Sequence, residues 1–233
     1  MAKLQNFLYP LRCPACRDII EDDELYIHPE CRDRFSLITE PRCFKCSRTL
    51  QEENCDICPE CREKHHSYEY GLVLYKYNDT AQAAMIDYKK NGIRRNGDFF
   101  AKEAVKELGR LLKRINPEVL VPVPITDQRL RERGFNQSEY LAEHLGNALG
   151  ISVDSDVLFR TKGKKDQKKL SRAERLKNTE HIFEVVDDLP YKRICIVDDV
   201  YTTGSTVDGC TKALRAKGAE EVGFLTIFAV ENM

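Results

Sequence analysis

From residue 71 onward the apolar positions fall into short unbroken runs separated by longer stretches with helical spacing. The runs at 71–77, 119–123, 193–197 and 221–229 are rich in Val, Ile, Leu and Phe and read as buried strands, with shorter strands over 157–160 and 182–186. Between them lie four helical stretches: 80–88, one running from Asp98 as N-cap to Ile115, 136–149, and 206–217. Ala101, Val105, Leu108, Leu111 and Leu112 share one face of the second, and Leu141, Leu145 and Leu149 one face of the third, which Gly150 stops. The alternation predicts an α/β domain with a mainly parallel sheet and helices on both faces.

The first 66 residues lack that periodicity and carry eight of the ten cysteines. Cys13, Cys16, His28 and Cys31 recur thirty residues later as Cys43, Cys46, Cys58 and Cys61. The flanks repeat as well: His-Pro-Glu-Cys-Arg at 28–32 returns as Cys-Pro-Glu-Cys-Arg at 58–62. Histidine is the usual substitute for cysteine in a tetrahedral zinc site, and a Cys-x2-Cys hairpin aims two ligands at one ion. The pattern predicts a double zinc ribbon over residues 1–66 holding two structural zinc ions, followed by the α/β domain over 67–233. A disulfide framework is the competing reading; it needs an oxidising compartment, and paired Cys-x2-Cys spacing favours metal. The repeat favours one ion per copy, with a cross-braced pairing as the alternative. Cys55 has no counterpart in the first copy, where Leu25 stands, and reads as a spare thiol. The segment offers little apolar core, so the metal supplies its folding free energy. Loss of Cys43 or Cys58 is therefore expected to unfold the ribbons while the α/β domain stays folded. Four protein ligands leave no open position for catalysis, which makes both metals structural.

Composition narrows the setting. The 233 residues hold 37 Lys and Arg against 38 Asp and Glu, a net charge of −1, so no global field draws the protein to nucleic acid or membrane. The charge is uneven: residues 160–177 hold nine basic side chains and two acids, a local net of +7. The most apolar run near the C-terminus, 222–230, has nine residues, too few to span a bilayer. No signal peptide reads at the N-terminus, so a cytoplasmic protein without a transmembrane segment is expected.

Residues 194–206 carry candidate chemistry: Ile-Cys-Ile-Val-Asp-Asp-Val-Tyr-Thr-Thr-Gly-Ser-Thr. An apolar strand ends in two carboxylates, and a hydroxyl-rich loop opens a helix. Carboxylates accept hydrogen bonds from sugar hydroxyls, while amides and hydroxyls at a helix N-terminus surround a phosphate. Gly204 permits close approach or positive φ. The pattern suits a ribose 5-phosphate; the plain alternative is a turn in which Asp and Thr are cap residues. These thirteen residues resemble the phosphoribosyl-pyrophosphate (PRPP) motif of type I phosphoribosyltransferases. The resemblance implies that Asp198 and Asp199 hold the ribose, and Thr202, Thr203, Gly204, Ser205 and Thr206 the 5-phosphate. Ser205 stands where many members have a second glycine.

Two further segments can converge on that loop. Pro122-Val123-Pro124 leads into Arg129, Arg131 and Arg133-Gly134-Phe135-Asn136-Gln137, whose arginines suit bidentate pairing with pyrophosphate or form a solvated basic loop. The other is the basic stretch 162–177. Taken together, 122–124, 133–137, Gln167, Leu170, Glu174, Arg175, Asn178 and the Asp198 segment resemble the ComF family, of the ComFC competence type. In that family a zinc ribbon precedes a phosphoribosyltransferase-like domain. The resemblance covers nearly the whole chain and implies help to single-stranded DNA crossing the inner membrane during natural transformation, with a ComFA-type helicase as partner.

Three functions compete. A phosphoribosyl-transfer enzyme would use Mg²⁺ between pyrophosphate and ribose, with Asp198, Asp199, Arg133 and a lysine of 162–169 as catalytic candidates; no acceptor pocket is legible. A DNA-handling module would track phosphates with Lys164, Lys165, Lys168 and Lys169. It would stack bases on aromatics such as Tyr75, Tyr77, Phe135 and Phe159, each of which also reads as core. A zinc-ribbon adaptor leaves the Asp198 motif unused. DNA handling ranks first.

Overall fold

The long apolar runs pair into one sheet in the computed structural model, which describes residues 10–50, 55–161 and 182–230. The strands are β1 (Gly71–Lys76), β2 (Val119–Pro122), β3 (Ser152–Val153), β4 (Leu158–Arg160), β5 (Phe183–Val185), β6 (Arg193–Tyr201) and β7 (Glu221–Ala229). Five of them form the main sheet in the order β1-β7-β6-β2-β3, with every pairing parallel. β4 and β5 form a separate antiparallel pair. The helices are α1 (Pro59–Glu63), α2 (Asp79–Lys89), α3 (Arg94–Ile115), α4 (Asp127–Arg133), α5 (Gln137–Leu149) and α6 (Ser205–Ala216).

Each central strand is apolar on both sides because both faces are covered. Along β6, Cys195 and Val197 join the layer formed with α2, α3 and α5, whereas Ile194 and Ile196 join the layer under α6. This is the period of two that a pleated strand imposes. Gly223 is where the sheet admits a close neighbour: a Cβ there would stand 2.2 Å from the Tyr70 ring.

Among the described residues, the apolar side chains of the zinc ribbons are shared with the cores of the α/β domain. Ile20, Ile27 and Phe35 of the first are buried in the α2/α3/α5 layer, and Ile38 and Leu50 of the second in the α6 layer. Phe35 packs among Tyr75, Phe99, Phe100 and Phe228, at ring separations of 5.4–6.2 Å. Residues between the ribbons also cover the free edge of β1, with Ile38 N donating to Leu74 O and Lys76 N to Ser36 O. A covered edge cannot recruit another chain. The expectation that the ribbons unfold alone meets an opposing one here, because both sheet faces would lose apolar cover with them.

Three boundaries differ from the sequence reading. Asp98 is not a cap: α3 begins at Arg94, and the Asp98 carboxylate accepts from the Tyr140 hydroxyl at 2.6 Å. Residues 127–133, expected as a loop, form α4, because Thr126 caps its first turn at 3.2 Å and Gly134 ends it at φ 77°. β6 runs four residues past Val197, because β7 keeps pairing with it through Tyr201↔Ala229. No helix among the described residues is long and apolar enough to cross a membrane.

Candidate functional site

The two ligand sets close within their own repeats. The donor atoms of Cys13, Cys16, His28 and Cys31 lie within 4.8 Å of one another, as do those of Cys43, Cys46, Cys58 and Cys61. None of the described cysteines forms a disulfide. A Zn–S bond of about 2.3 Å sets tetrahedral sulfurs roughly 3.8 Å apart, and Cys46 Sγ lies 3.7 Å from Cys58 Sγ. In the first set His28 turns Nδ1 to Cys16 Sγ at 3.3 Å, while Nε2 lies 3.2 Å from the Ile19 carbonyl. An acceptor facing the second ring nitrogen fixes the ligating tautomer. The residues fit zinc, and the repeat, not a cross-brace, decides which share an ion. Cys55 lies outside both sets, with Arg62 Nη2 3.2 Å from its sulfur.

The candidate ribose-phosphate site lies at the carboxyl end of β6, where open parallel sheets bind ligands. β2 pairs with β6 only as far as Pro122↔Val197, so beyond Val197 one edge of β6 is open. Asp198 and Asp199 are the next two residues. They belong to the strand, not to the loop after it. Asp198 Oδ1 accepts from Ser138 Oγ and from the Asp199 amide, both at 2.9 Å. Burial, then the adjacent Asp199 charge, pushes the Asp198 carboxyl up to about 7 despite those two donors. Asp199 is 8% exposed and pairs with Lys89 Nζ at 2.7 Å. Lys89 is the last residue of α2.

Tyr201 closes the strand and Gly204 caps α6 at φ 79°, a left-handed geometry that glycine tolerates. The first intrahelical bond runs from Asp208 N to Gly204 O at 2.8 Å. The amides of 205–207 therefore precede the helix's own ladder and are the groups a helix N-terminus offers an anion. Thr202, Thr203, Ser205 and Thr206 are exposed around them. Thr203 Oγ1 meets Ser205 Oγ at 2.8 Å, so Ser205 shares in the loop's own hydrogen bonding.

Arg133 ends α4 and donates through Nη1 to Gln137 Oε1 at 2.7 Å. Gln137 is followed by Ser138, which links the 133–137 segment to Asp198. Lys164, Lys165, Lys168 and Lys169, with the rest of 162–181, lie outside the described residues. The flanks of that segment meet, with Thr161 N donating to Ile182 O at 2.9 Å, and Phe183 lies against Gly209 of α6. The described residues on either side of that segment thus pair with each other, and Phe183 lies beside the helix that follows the 202–206 loop. Among the aromatics considered for base stacking, Tyr75 and Phe135 are core, Tyr77 packs edge-on against Phe228, and Phe159 is 47% exposed.

Sequence reasoning missed Lys89, Ser138 and Arg48. Ser138 directly follows the arginine segment and was within reach. Nothing local marks Lys89, or Arg48, whose Nη2 donates to the Thr202 carbonyl.

Known proteins share both halves of this arrangement. A double zinc ribbon domain matches residues 4–66, and a phosphoribosyl transferase domain matches residues 92–232. The chain belongs to the phosphoribosyl transferase domain family. It is homologous to Competence protein F of Haemophilus influenzae, at 35% identity over 122 residues, 51% of this chain and 53% of that protein. DNA utilization protein YhgH of Escherichia coli is 37% identical over 106 residues, 46% of this chain and 47% of YhgH. Competence protein ComFC of Bacillus subtilis is 32% identical over 150 residues, 62% and 58% of the two chains. The chain spans about half the length of the curated relatives it matches. Among solved structures, a purine phosphoribosyltransferase from Pyrococcus horikoshii aligns at 20% identity and a TM-score of 0.36, covering 57% of this chain and 84% of that one. In this phosphoribosyl transferase domain, Asp198, Asp199 and the 202–206 loop lie at the carboxyl end of β6, with Arg48 of the second ribbon against Thr202.

Proposed function

We propose that residues 198–206 bind a 5-phosphoribosyl ligand, PRPP with Mg²⁺ in the first instance. The observation that carries this reading is the pair Asp198 and Asp199 on the open edge of β6, directly ahead of the 205–207 amides. Sugar hydroxyls donate to the acids and the phosphate accepts from the amides. Asp198 and Asp199 are also the hard oxygen donors Mg²⁺ prefers, and the ion would neutralise pyrophosphate charge. Isothermal titration with ribose 5-phosphate, then with PRPP and Mg²⁺, tests the reading. Wild type is expected to bind both, and Asp198→Asn/Asp199→Asn neither, with the fold retained. No heat at millimolar ligand overturns it.

The domain serves DNA uptake in this reading, as the names of its relatives suggest. The basic segment 160–177 supplies a phosphate-tracking surface for single strands, and a ComFA-type helicase is the partner, in the cytoplasm. A second reading, an active phosphoribosyltransferase, is favoured by Arg133, which is tied through Gln137 to the segment that holds Asp198. Asp198, Asp199 and Arg133 would then be catalytic, with Arg133 meeting leaving-group charge. Release of pyrophosphate from PRPP separates the two readings.

A further inference from the structure

We infer that Arg48 of the second zinc ribbon is a positioning residue for the phosphate loop, so that metal at Cys43, Cys46, Cys58 and Cys61 sets how well the loop holds an anion. The inference rests on the reading of 202–206 as a phosphate loop and adds the regulation of that site.

Arg48 is 7% exposed and spans three groups. One terminal nitrogen pairs with Glu60 and the other donates to the Thr202 carbonyl, 154 residues along the chain. Its guanidinium carbon stands 5.2 Å over the Tyr201 ring. Tyr201 and Thr202 are the last strand residue and the first loop residue, so a single side chain grips the point where the chain turns into the phosphate site. The far side of Tyr201 is equally constrained. Its ring stacks on Phe224 at 5.0 Å and 3°, and its hydroxyl meets the Tyr68 hydroxyl at 2.8 Å.

The stretch leaving the ribbon completes the wall. Ser67 N donates to Asp208 Oδ1, in the first turn of α6, at 2.6 Å. The His66 side chain is 8% exposed and stacks on Tyr68 at 4.8 Å. Its Cε1 lies 3.1 Å from where a Gly204 Cβ would stand. Among the described residues its Nε2 is buried without a hydrogen-bond partner.

The ligand set governs where Arg48 points. Arg48 follows Cys46 by two residues, past Ser47 in left-handed geometry at φ 62°. Its carbonyl accepts from the Cys43 amide at 2.8 Å. Glu60 lies between Cys58 and Cys61 in α1. Metal bound by all four thiols ties the hairpin that presents Arg48 to the helix that presents Glu60. The first ribbon does different work with the equivalent turn. There Arg17 takes the left-handed position at φ 69° and pairs with Asp87 of α2 at 3.0 Å, and Asp18 stands where Arg48 does in the repeat. Only the second knuckle presents a guanidinium to the loop.

The test uses the full chain, with Arg48→Met, Arg48→Lys and, as a matched control in the first ribbon, Arg17→Gln. Three quantities are read: zinc per chain, hydrogen exchange of the 202–206 amides, and affinity for ribose 5-phosphate. Zinc-loaded Arg48→Met is expected to keep two ions, exchange faster at 202–206 and bind about tenfold or more weakly, a loss of ~1.4 kcal/mol or more. Arg48→Lys keeps a cation but not the planar fork that reaches two acceptors, so it recovers part of the affinity. Arg17→Gln leaves loop exchange unchanged. If Arg48→Met does not fold, Arg48→Lys alone decides by the same readouts. Unchanged exchange and affinity in the zinc-loaded variants overturn the inference, as does an equal effect of Arg17→Gln. Wild type that fails to bind ribose 5-phosphate, while Arg48→Met still loosens the loop, removes the ligand reading and leaves the bracing in place.

Discussion

Lys89 Nζ meets Asp199 Oδ1 at 2.7 Å, joining the end of α2 to the carboxyl end of β6 across 110 residues of chain. Both groups are largely withdrawn from solvent, at 25% and 11% side-chain exposure. Lys89 therefore holds the second acid of the motif in place.

Replacing Lys89 with Met should leave that carboxylate without its cation and lower stability by about 1–3 kcal/mol. Asp199→Asn in the same background should cost less than the two single changes added together, since no buried charge then remains. Urea denaturation of the four proteins in the cycle measures both. Strict additivity would mean that the pair does not interact in solution.

Asp198 sets a pH dependence. Its folded-state value of about 7 lies above the unfolded value of about 3.9, so the folded chain holds the proton more tightly. The resulting stability is complete below about pH 4 and is lost as pH rises through about 7. Ligand hydroxyls and Mg²⁺ need the carboxylate, so affinity for PRPP with Mg²⁺ should move the opposite way, rising between about pH 6 and 8. Titration calorimetry across that window should show the rise in wild type, and Asp198→Asn should flatten it.

Metal analysis should find two zinc ions per chain in a reduced preparation. Cys43→Ser should release the second ion and lower the melting temperature of the whole chain, because Ile38 and Leu50 share a core with Val73 and Phe224. Scanning calorimetry distinguishes this from an independent ribbon, which would melt alone and leave the main transition untouched. One zinc per wild-type chain contradicts the two-site arrangement.

The basic segment should bind single-stranded DNA with a salt dependence of roughly −0.7 per neutralised phosphate. Changing Lys164, Lys165, Lys168 and Lys169 together to Gln should weaken binding strongly and flatten that slope. Fluorescence anisotropy with an oligonucleotide at several salt concentrations reads both. An unchanged slope moves the DNA surface elsewhere; no wild-type binding at low salt removes it.

Features encoded within a few residues of one another are legible in the chain's own spacing. The alternation of apolar runs and helical stretches predicts the parallel sheet, the thirty-residue repeat the two ligand sets, and the run Asp198 to Thr206 a strand end that turns into a helix, because each depends on local pattern. Local pattern did not decide the rest. Asp98 has the spacing of a helix cap, yet its partner is Tyr140, 42 residues away. The acids lie within β6 because β7 outlasts β2 as its neighbour, a matter of relative strand length that no single segment carries. Lys89 reaching Asp199, and Arg48 reaching Thr202, needed the packed chain. By itself the sequence determined which side chains gather in the two ligand sets and in the 198–206 segment. Only tertiary packing, by burying the ribbons against both sheet faces, decided which side chains hold those groups in position.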